Sequence, residues 1–348
     1  MYKKLTALIL MAIFVFSLSA CVNVKEEKKR YEAEFIMLFD TATRIIGYAD
    51  SEEEFSEQVN QIYDNLKQLH QLYDIYHDYE GINNIKTIND QAGIAPVKVD
   101  RRIIELLLFS REAYEMTGGK VNVAFGPVLR IWHDHREAGI EDPDQAALPE
   151  LDRLKEASAY TDIHRVVIDE ANSTVYLPDP RLSLDVGAIA KGYAVEQVAV
   201  IAEKNGFTNG LISVGGNVRA IGTRGDGELW KVGIQNPYDP GGEDVTHVRL
   251  SDISLVTSGV YERYYTVDGK RYHHIIDPAT LFPAEYFLSV SILCPDSGLA
   301  DALSTAVLNL PYEQGLALVE SLPDAEAFWV FPDKSVRSSS GFNDYIVQ

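Results

Sequence analysis

The sequence predicts an α+β fold in which mixed or antiparallel sheets pack against helices. Two observations favour this class: strands and helices alternate irregularly, and Asp268-Gly269 marks a two-residue β-hairpin. The 348 residues are 46% apolar, which is ordinary for a globular protein. A doubly wound parallel sheet would instead show regular alternation of strand and helix. The length allows one large domain or two small ones. Because no internal boundary is evident, we expect one domain over residues 32–348.

Residues 1–20 have the pattern of a lipoprotein signal peptide. Two lysines precede an apolar run from Leu5 to Ser17, which fits a signal segment better than a membrane span. The run ends in Leu-Ser-Ala-Cys, which resembles a bacterial lipobox with Cys21 as the lipidated residue. Residues 21–31 then form a charged tether, so we expect a lipid-anchored protein on the extracytoplasmic face of the bacterial cell membrane. The alternatives are a plain signal peptide with a chance cysteine, or an uncleaved anchor.

Periodicity and end signals predict the elements of the domain in order. A capping-box pattern, Ser51 to Glu54, opens a helix with apolar residues every three or four positions up to Tyr73. Further helices are expected at about 100–117, 188–205 and 297–309, and residues 137–156 are expected to form a polar surface segment. Strands are expected at 34–39, 45–48, 165–168, 174–177, 182–186, 211–214, 218–221, 230–234, 261–267, 270–275 and 287–293.

Charge and cysteine content exclude some classes of protein. The chain has 31 basic and 52 acidic residues and a formal charge of −21. This balance argues against nucleic-acid binding, which depends on neutralising phosphates with Lys and Arg, so we expect no nucleic-acid partner. It also argues against a polybasic membrane-surface protein. Cys294 lies in an apolar run and is expected to be a buried structural residue rather than a nucleophile.

The segment from Asp185 to Tyr193 is typical of a phosphate site. A strand expected to end at Asp185 turns through Gly187 into a helix that carries Lys191 in its first turn. Such a corner presents backbone N–H groups and the positive helix end to an anion, and the lysine adds a point charge. The segment is not a Walker A loop, which needs glycine before the lysine. The alternative is an ordinary turn with an exposed lysine.

Asp301 and Thr305 form a candidate metal site. They are four residues apart, so on a helix both side-chain oxygens lie on one face near its start. A carboxylate and a hydroxyl suit a hard cation such as Mg²⁺, which takes its remaining ligands from phosphate oxygens and water. The alternative is an acid favoured by the helix dipole, with the threonine packed behind it.

A third group of candidate residues lies between Thr257 and Asp277. Aromatic residues alternate along the expected hairpin and are suited to stack on a flat ring, and His274 and Asp277 can orient a proton-transfer group. Earlier in the chain, Gly215 and Gly216 permit a ligand to approach the backbone closely. Each of these features also has a structural explanation, since strand histidines and turn glycines are common.

Taken together, the ordered motifs resemble the FAD:protein FMN transferase family, also called the ApbE family. The resemblance covers roughly residues 35–310. The matching stretches are 117–119, 126–132, 185–193, 212–220, 230–237, 257–259, 273–278 and 300–305.

Membership of this family implies an ApbE-type fold and a Mg²⁺-dependent reaction on FAD. FMN is joined by a phosphodiester to a Thr or Ser hydroxyl of a target flavoprotein, and AMP is released. The implied acceptors are subunits of Rnf-type and Nqr-type respiratory complexes and extracytoplasmic FMN-binding domains. Many members are lipoproteins, which agrees with the pattern at Cys21.

The resemblance also implies roles for individual residues. Asp301, Thr305 and the carbonyl of Ala188 correspond to metal ligands. His274 is our candidate for activating the acceptor hydroxyl, with Asp277 orienting it. The residues expected to contact the flavin nucleotide are Phe39, Tyr76, Lys120, Val121, Asn122, Asp185, Lys191, Gly215, Gly216, Thr257 and His274.

Three positions depart from the family pattern. Asn122 stands where the family usually has Asp, residues 279–281 replace Arg-Thr-Gly with Ala-Thr-Leu, and residues 39–41 replace Met-Gly-Thr with Phe-Asp-Thr. We expect these changes to alter nucleotide contacts and turn geometry and to leave the metal site intact.

Three activities remain to be distinguished. The leading one is a flavinyltransferase. The same site with water as acceptor would make an FAD pyrophosphatase, and the third possibility is a non-catalytic flavin-binding or solute-binding lipoprotein. Covalent flavin on an acceptor would indicate transfer, release of FMN and AMP without an acceptor would indicate hydrolysis, and survival of FAD would indicate simple binding.

Overall fold

The structure is a computed structural model that describes residues 28–347. The predicted signal peptide, Cys21 and most of the tether therefore lie outside the described residues. Within that range, every helix is too short or too polar to cross a membrane.

The described residues form fifteen strands. They are β1 Lys29–Leu38, β2 Thr41–Ala49, β3 Val97–Lys98, β4 Val167–Asp169, β5 Thr174–Tyr176, β6 Gly210–Val214, β7 Asn217–Ile221, β8 Trp230–Ile234, β9 Thr246–Leu250, β10 Ser254–Gly259, β11 Tyr264–Val267, β12 Lys270–His273, β13 Ser289–Cys294, β14 Glu326–Val330 and β15 Val336–Ser338.

The α-helices and short 3-10 helices are as follows. The α-helices are α1 Glu52–Tyr73, α2 Ile85–Asp90, α3 Arg101–Met116, α4 Gly126–Glu141, α5 Leu151–Ser158, α6 Ala190–Lys204, α7 Ser297–Leu308 and α8 Tyr312–Glu320. The 3-10 helices are Val123–Phe125, Pro143–Gln145, Ile163–Arg165 and Phe342–Tyr345.

An eight-stranded sheet forms the centre of the fold, in the order β1-β2-β6-β7-β10-β13-β14-β15. Every neighbouring pair in it is antiparallel. Smaller sheets pair β8 with β9, β11 with β12, and β3 and β4 with β5. The predicted α+β class with antiparallel sheets is therefore confirmed.

Both faces of the large sheet are covered. Successive strand residues point to opposite faces: Ile212 packs in the core with Leu66 of α1, whereas Leu211 packs in the core with Trp230 of β8. Helices α1, α6 and α7 cover one face and the β8–β9 pair covers the other. Strand β13, in the middle of this arrangement, is buried along its whole length.

The predicted helix starts are confirmed where a side chain caps the helix. Oγ of Ser51 accepts a hydrogen bond from the Glu54 N–H at 3.1 Å, and Glu54 in turn accepts from the Asp50 N–H at 2.9 Å. The cap fixes the start of α1. Its first turns then pack on β1, where Tyr31 stacks on Phe55 with 5.5 Å between ring centroids. Residues 29–31, which the sequence analysis placed in the tether, thus belong to a strand.

The expected strand at 182–186 is wrong, although its alternating burial is real. Leu182, Leu184 and Val186 are buried, but this segment pairs with a side chain instead of a strand. Asn89 donates to the Leu184 carbonyl at 2.9 Å and accepts from the Leu184 N–H at 2.7 Å. Helix α6 correspondingly begins at Ala190, two residues later than expected.

The segment 137–156 was predicted as polar surface, yet it contains the end of α4 and most of α5. Leu154 of α5 is fully buried, and α4 packs on the β11–β12 hairpin through Trp132 and Tyr265. The predicted burial of Cys294 is confirmed, and burial raises the pKa of its thiol to about 11.

Candidate active site

A cavity of about 630 Å³ lies at the N-terminal end of α6. This volume is in the range of small-molecule binding sites. The cavity brings together predicted residues from distant parts of the chain, whereas Asp277 lies outside its lining and Cys21 lies outside the described residues. The predicted residues that line it are Phe39, Tyr76, Lys120, Val121, Asn122, Asp185, Ala188, Lys191, Gly215, Gly216, Thr257, His274, Asp301 and Thr305.

Asp301 of α7 accepts a hydrogen bond from the start of α6. The N-cap residue of α6, Ile189, makes no side-chain capping bond. Instead, Oδ2 of Asp301 accepts from the Gly192 N–H at 2.8 Å. A Cβ at position 192 would lie 2.4 Å from the Cβ of Asp301 and 2.3 Å from the Ser297 carbonyl oxygen. Only glycine therefore lets the carboxylate reach the positive end of α6.

The surroundings of Asp301 suit a cation. Burial raises the pKa of Asp301, and the nearby Lys191 charge and the Gly192 hydrogen bond oppose this effect. A buried carboxylate with this tendency gains from a bound metal ion. Thr305 lies one turn later on α7, and Ala188 lies just before α6. All three residues line the cavity.

The donor set fits Mg²⁺ rather than a metal that needs an all-protein cage. Within residues 28–347, no group of three or more His, Cys, Asp and Glu side chains is arranged to hold a metal. One carboxylate, one hydroxyl and one carbonyl leave coordination positions for phosphate oxygens and water, which is the usual arrangement for Mg²⁺.

His274 is neutral and has a defined tautomer. Its Nδ1 lies 3.2 Å from the backbone carbonyl of Arg263, which can only accept a hydrogen bond. The ring proton therefore sits on Nδ1, and Nε2 carries the free lone pair. Burial, together with the positive charges of Arg263 and Lys191, lowers the pKa of His274 to about 3. Nε2 is thus available to accept a hydrogen bond or a proton from a hydroxyl group.

Asp277 does not orient His274, contrary to the sequence prediction. Its Oδ1 accepts from the Lys120 ammonium at 2.6 Å and from the Ala279 N–H at 3.0 Å. The sequence could not reveal this pairing, because Lys120 is 157 residues away along the chain. The neighbour that holds His274 is the Arg263 backbone.

Two of the three departures from the family pattern serve local structure. The amide of Asn122 caps a short 3-10 helix by accepting from the Ala124 N–H at 2.9 Å, and it donates to the Thr161 carbonyl at 2.8 Å. Leu281 adopts the left-handed conformation with φ of +64°. Its carbonyl accepts from the Trp132 indole N–H at 2.9 Å, and its side chain is buried, so a leucine holds the turn that would favour glycine.

The expected aromatic stacking surface along the β11–β12 hairpin is wrong. Tyr265 and Tyr272 pack with Trp132 in a separate apolar cluster. Tyr261, which precedes the hairpin, does line the cavity. Tyr265 is buried because α4, which was not predicted from the sequence, covers this side of the hairpin.

Several polar residues that line the cavity were not predicted from the sequence to be site residues. They are His70, Asp74, His77, His133, Arg136 and Arg263. His133 and Arg136 are three residues apart on one face of α4, and their side chains are 2.9 Å apart. Extending α4 from Gly126-Pro127 to Glu141 would have placed both on that face.

The fold and the site define an α+β protein with a cavity of small-molecule size, on which a helix start, a lysine and a buried carboxylate converge. The sequence profile of the ApbE family matches residues 39–329. The chain is 40% identical over 276 residues to the FAD:protein FMN transferase of Treponema pallidum, covering 75% of this chain and 74% of that protein. It is 31% identical over 263 residues to a Klebsiella pneumoniae protein of the same name, covering 74% and 78%.

Comparison with solved structures also identifies ApbE proteins as similar. The crystal structure of the ApbE protein from Thermotoga maritima matches with a TM-score of 0.80 and 27% identity, covering 92% of this chain and all of that one. The chain belongs to the ApbE family, and the resemblance found in the sequence is confirmed.

Proposed function

We propose that the protein is an FAD:protein FMN transferase with a Mg²⁺-dependent mechanism. It cleaves FAD between its two phosphates, joins FMN to a Thr or Ser hydroxyl of a flavoprotein and releases AMP. The observation that carries this proposal is the convergence of Lys191, Asp301 and His274 on one cavity. Together they provide an ammonium group for phosphate, a carboxylate for a cation and a neutral imidazole for the acceptor hydroxyl.

The phosphate-binding groups come from α6 and α7. Asp301, Thr305 and the Ala188 carbonyl would hold Mg²⁺, which when bound neutralises diphosphate charge and polarises the phosphorus. Lys191 adds positive charge on the α6 side and acts on both Asp301 and His274, as its influence on their pKa values indicates. Phosphoryl transfer depends mainly on such positioning and charge stabilisation.

His274 orients the acceptor. Its Nε2 accepts the hydrogen bond of the Thr or Ser hydroxyl, whose oxygen then forms the new bond to the FMN phosphorus. The bond from that phosphorus to the AMP oxygen breaks, and the hydroxyl proton passes to Nε2. Because the neighbouring positive charges disfavour a lasting imidazolium, the proton moves on to the released phosphate or to water.

The cellular setting is also a proposal. The lipobox pattern supports lipidation of Cys21 and a position on the extracytoplasmic face of the bacterial cell membrane. The family resemblance supports acceptors of the Rnf or Nqr type, or extracytoplasmic FMN-binding domains. A Cys21→Ser variant expressed in a bacterium should leave the membrane fraction; retention there would indicate another anchor.

The transfer is tested by incubating the protein with FAD, Mg²⁺ and an FMN-binding acceptor domain. Mass spectrometry should find FMN on one threonine of the acceptor, with an equal amount of AMP in solution. An acceptor with that threonine changed to alanine is the control and should stay unmodified. FMN and AMP without an adduct would instead establish an FAD pyrophosphatase, and intact FAD would leave only binding.

A further inference from the structure

We propose that His70 is a positioning residue that fixes two segments of the cavity wall, residues 39–41 and 74–77, for FAD binding. The inference rests on the proposed function, because it assigns these wall segments to the nucleotide substrate. His70 lies in the last turn of α1 and itself lines the cavity.

The first wall segment has a backbone that needs outside support. Phe39 and Asp40 have φ of +53° and +54°, and Met37 just before them has φ of +87°. Residues with side chains rarely adopt this left-handed region, and such conformations persist only where surrounding contacts impose them. Phe39, Asp40 and Thr41 all line the cavity, so their conformation decides the shape of that wall.

His70 supplies the contact that holds this turn. Its Nδ1 accepts a hydrogen bond from the Phe39 N–H at 3.2 Å. The imidazole also packs edge-on against the Phe39 ring, with 5.5 Å between centroids. Because Nδ1 accepts, the ring proton sits on Nε2, and Nε2 faces the Tyr79 hydroxyl at 3.4 Å.

The same chain of hydrogen bonds reaches the second wall segment. The Tyr79 hydroxyl donates to Oδ2 of Asp74 at 2.7 Å. Oδ1 of Asp74 accepts the backbone N–H groups of Tyr76 at 2.6 Å and of His77 at 3.1 Å. Asp74 is only 9% exposed. Segments 39–41 and 74–77 therefore share one network, formed by His70, Tyr79 and Asp74.

The hydrogen-bond network of His70, Tyr79 and Asp74 positions residues of the cavity wall rather than residues of the hydrophobic core. Phe39 and Tyr76, the residues it holds, are expected nucleotide contacts, and both line the cavity. The Tyr76 ring packs against the His133 ring of α4, with 5.5 Å between the two ring centroids. Loss of the His70 acceptor should therefore weaken FAD binding more than it lowers the stability of the fold.

The test uses two substitutions that separate the two ring nitrogens. In His70→Asn the amide oxygen takes the place of Nδ1 and still accepts from Phe39, whereas in His70→Gln the oxygen lies near the place of Nε2. We expect His70→Gln to raise the Kd for FAD roughly three- to tenfold, as one lost hydrogen bond does. His70→Asn should stay within about twofold of the wild type. Binding is read from flavin fluorescence in the full-length protein.

The control is His164→Gln, at a histidine whose side chain is 61% exposed and which is not among the residues lining the cavity. It should change neither the Kd nor the melting temperature. Equal Kd values for the Asn and Gln variants, whether both normal or both raised, would overturn the role of Nδ1. Tyr79→Phe is a second variant and should raise the Kd in the same direction; an unchanged Kd there would overturn the shared network. Normal FAD binding without transfer to an acceptor would contradict the proposed function alone.

Discussion

Lys120 and Asp277 form a buried ion pair that joins two walls of the cavity. The Lys120 Nζ lies 2.6 Å from Oδ1 of Asp277, and the side chains are 17% and 5% exposed. Lys120 belongs to the loop between α3 and α4, and Asp277 follows the segment that carries His274. The ammonium group is therefore engaged in holding the His274 segment, in addition to lining the cavity.

Lys120→Met should lower stability and turnover together. Removing one partner of a buried pair leaves the other uncompensated, which costs about 3 kcal/mol of unfolding free energy. Denaturant unfolding and single-turnover transfer measure the two effects. The matched control is Lys155→Met, whose partner Asp152 is exposed and for which a loss below about 1 kcal/mol is expected. Equal losses of unfolding free energy in the two variants would contradict a stabilising role of the Lys120–Asp277 ion pair.

Lys191→Met should weaken FAD binding about 10- to 100-fold, because a charged hydrogen bond to phosphate is lost. Lys204→Met, an exposed lysine in the last turn of the same helix, should bind FAD normally. Fluorescence titration of both variants measures the difference. Normal affinity in the Lys191 variant would remove this residue from the phosphate site.

Asp301→Asn should abolish the Mg²⁺ dependence of transfer while the fold persists. The amide oxygen can still accept from Gly192, so the contact between α6 and α7 is kept, but the charge that attracts the cation is lost. Turnover measured against Mg²⁺ concentration should fall at least about 100-fold. In the wild type, excess EDTA should stop transfer and Mg²⁺ should restore it. Transfer that continues in EDTA would contradict the metal site.

His274 should contribute no inflection to the pH dependence of kcat/KM between pH 5 and 8. His274 titrates at about 3 in the folded protein, so it stays neutral throughout this range. An unfolded histidine titrates near 6.5, so the unfolded chain binds more protons between about pH 6.5 and 3, and stability falls as the pH is lowered through that window. His274→Gln should make acid unfolding less steep. An activity loss centred near pH 6.5 that disappears in this variant would contradict the neutral imidazole.

The sequence was informative where local signals determine structure. The Ser51 cap, the Asp268-Gly269 hairpin and the helix at 297–309 were predicted correctly because each depends on neighbouring residues. The alternating burial at 182–186 was also correct, but Asn89, nearly a hundred residues away, takes the place of a partner strand. The spacing of apolar residues indicates which side of a segment is buried. It does not identify the groups to which the backbone of that segment forms hydrogen bonds.

The residues of the candidate site also differ in whether local sequence signals were enough to predict them. Asp301, Thr305 and Lys191 line one cavity, as their short motifs predicted. Lys191 lies in the first turn of α6, whereas Asp301 and Thr305 lie in the middle and the last turn of α7 rather than near its start, where the sequence predicted them. The partner of Asp277 and the role of His70 depend on contacts between distant segments, which the spacing of residues along the chain does not encode. Helix α4 was not predicted, because its second half has the composition of a polar surface segment, and His133 and Arg136 were therefore not placed on a common helix face.

Because Gly192 has no side chain, the position of the Asp301 carboxylate and the position of the first turn of α6 depend on each other. The distance between α6 and α7 sets both where the carboxylate sits and where the lysine beside it points. A lone methyl group there would part the helices and disturb cation affinity and diphosphate handling in one step. A substitution at position 192 is therefore expected to displace the Asp301 carboxylate and the first turn of α6 together, and neither can be moved alone through this residue.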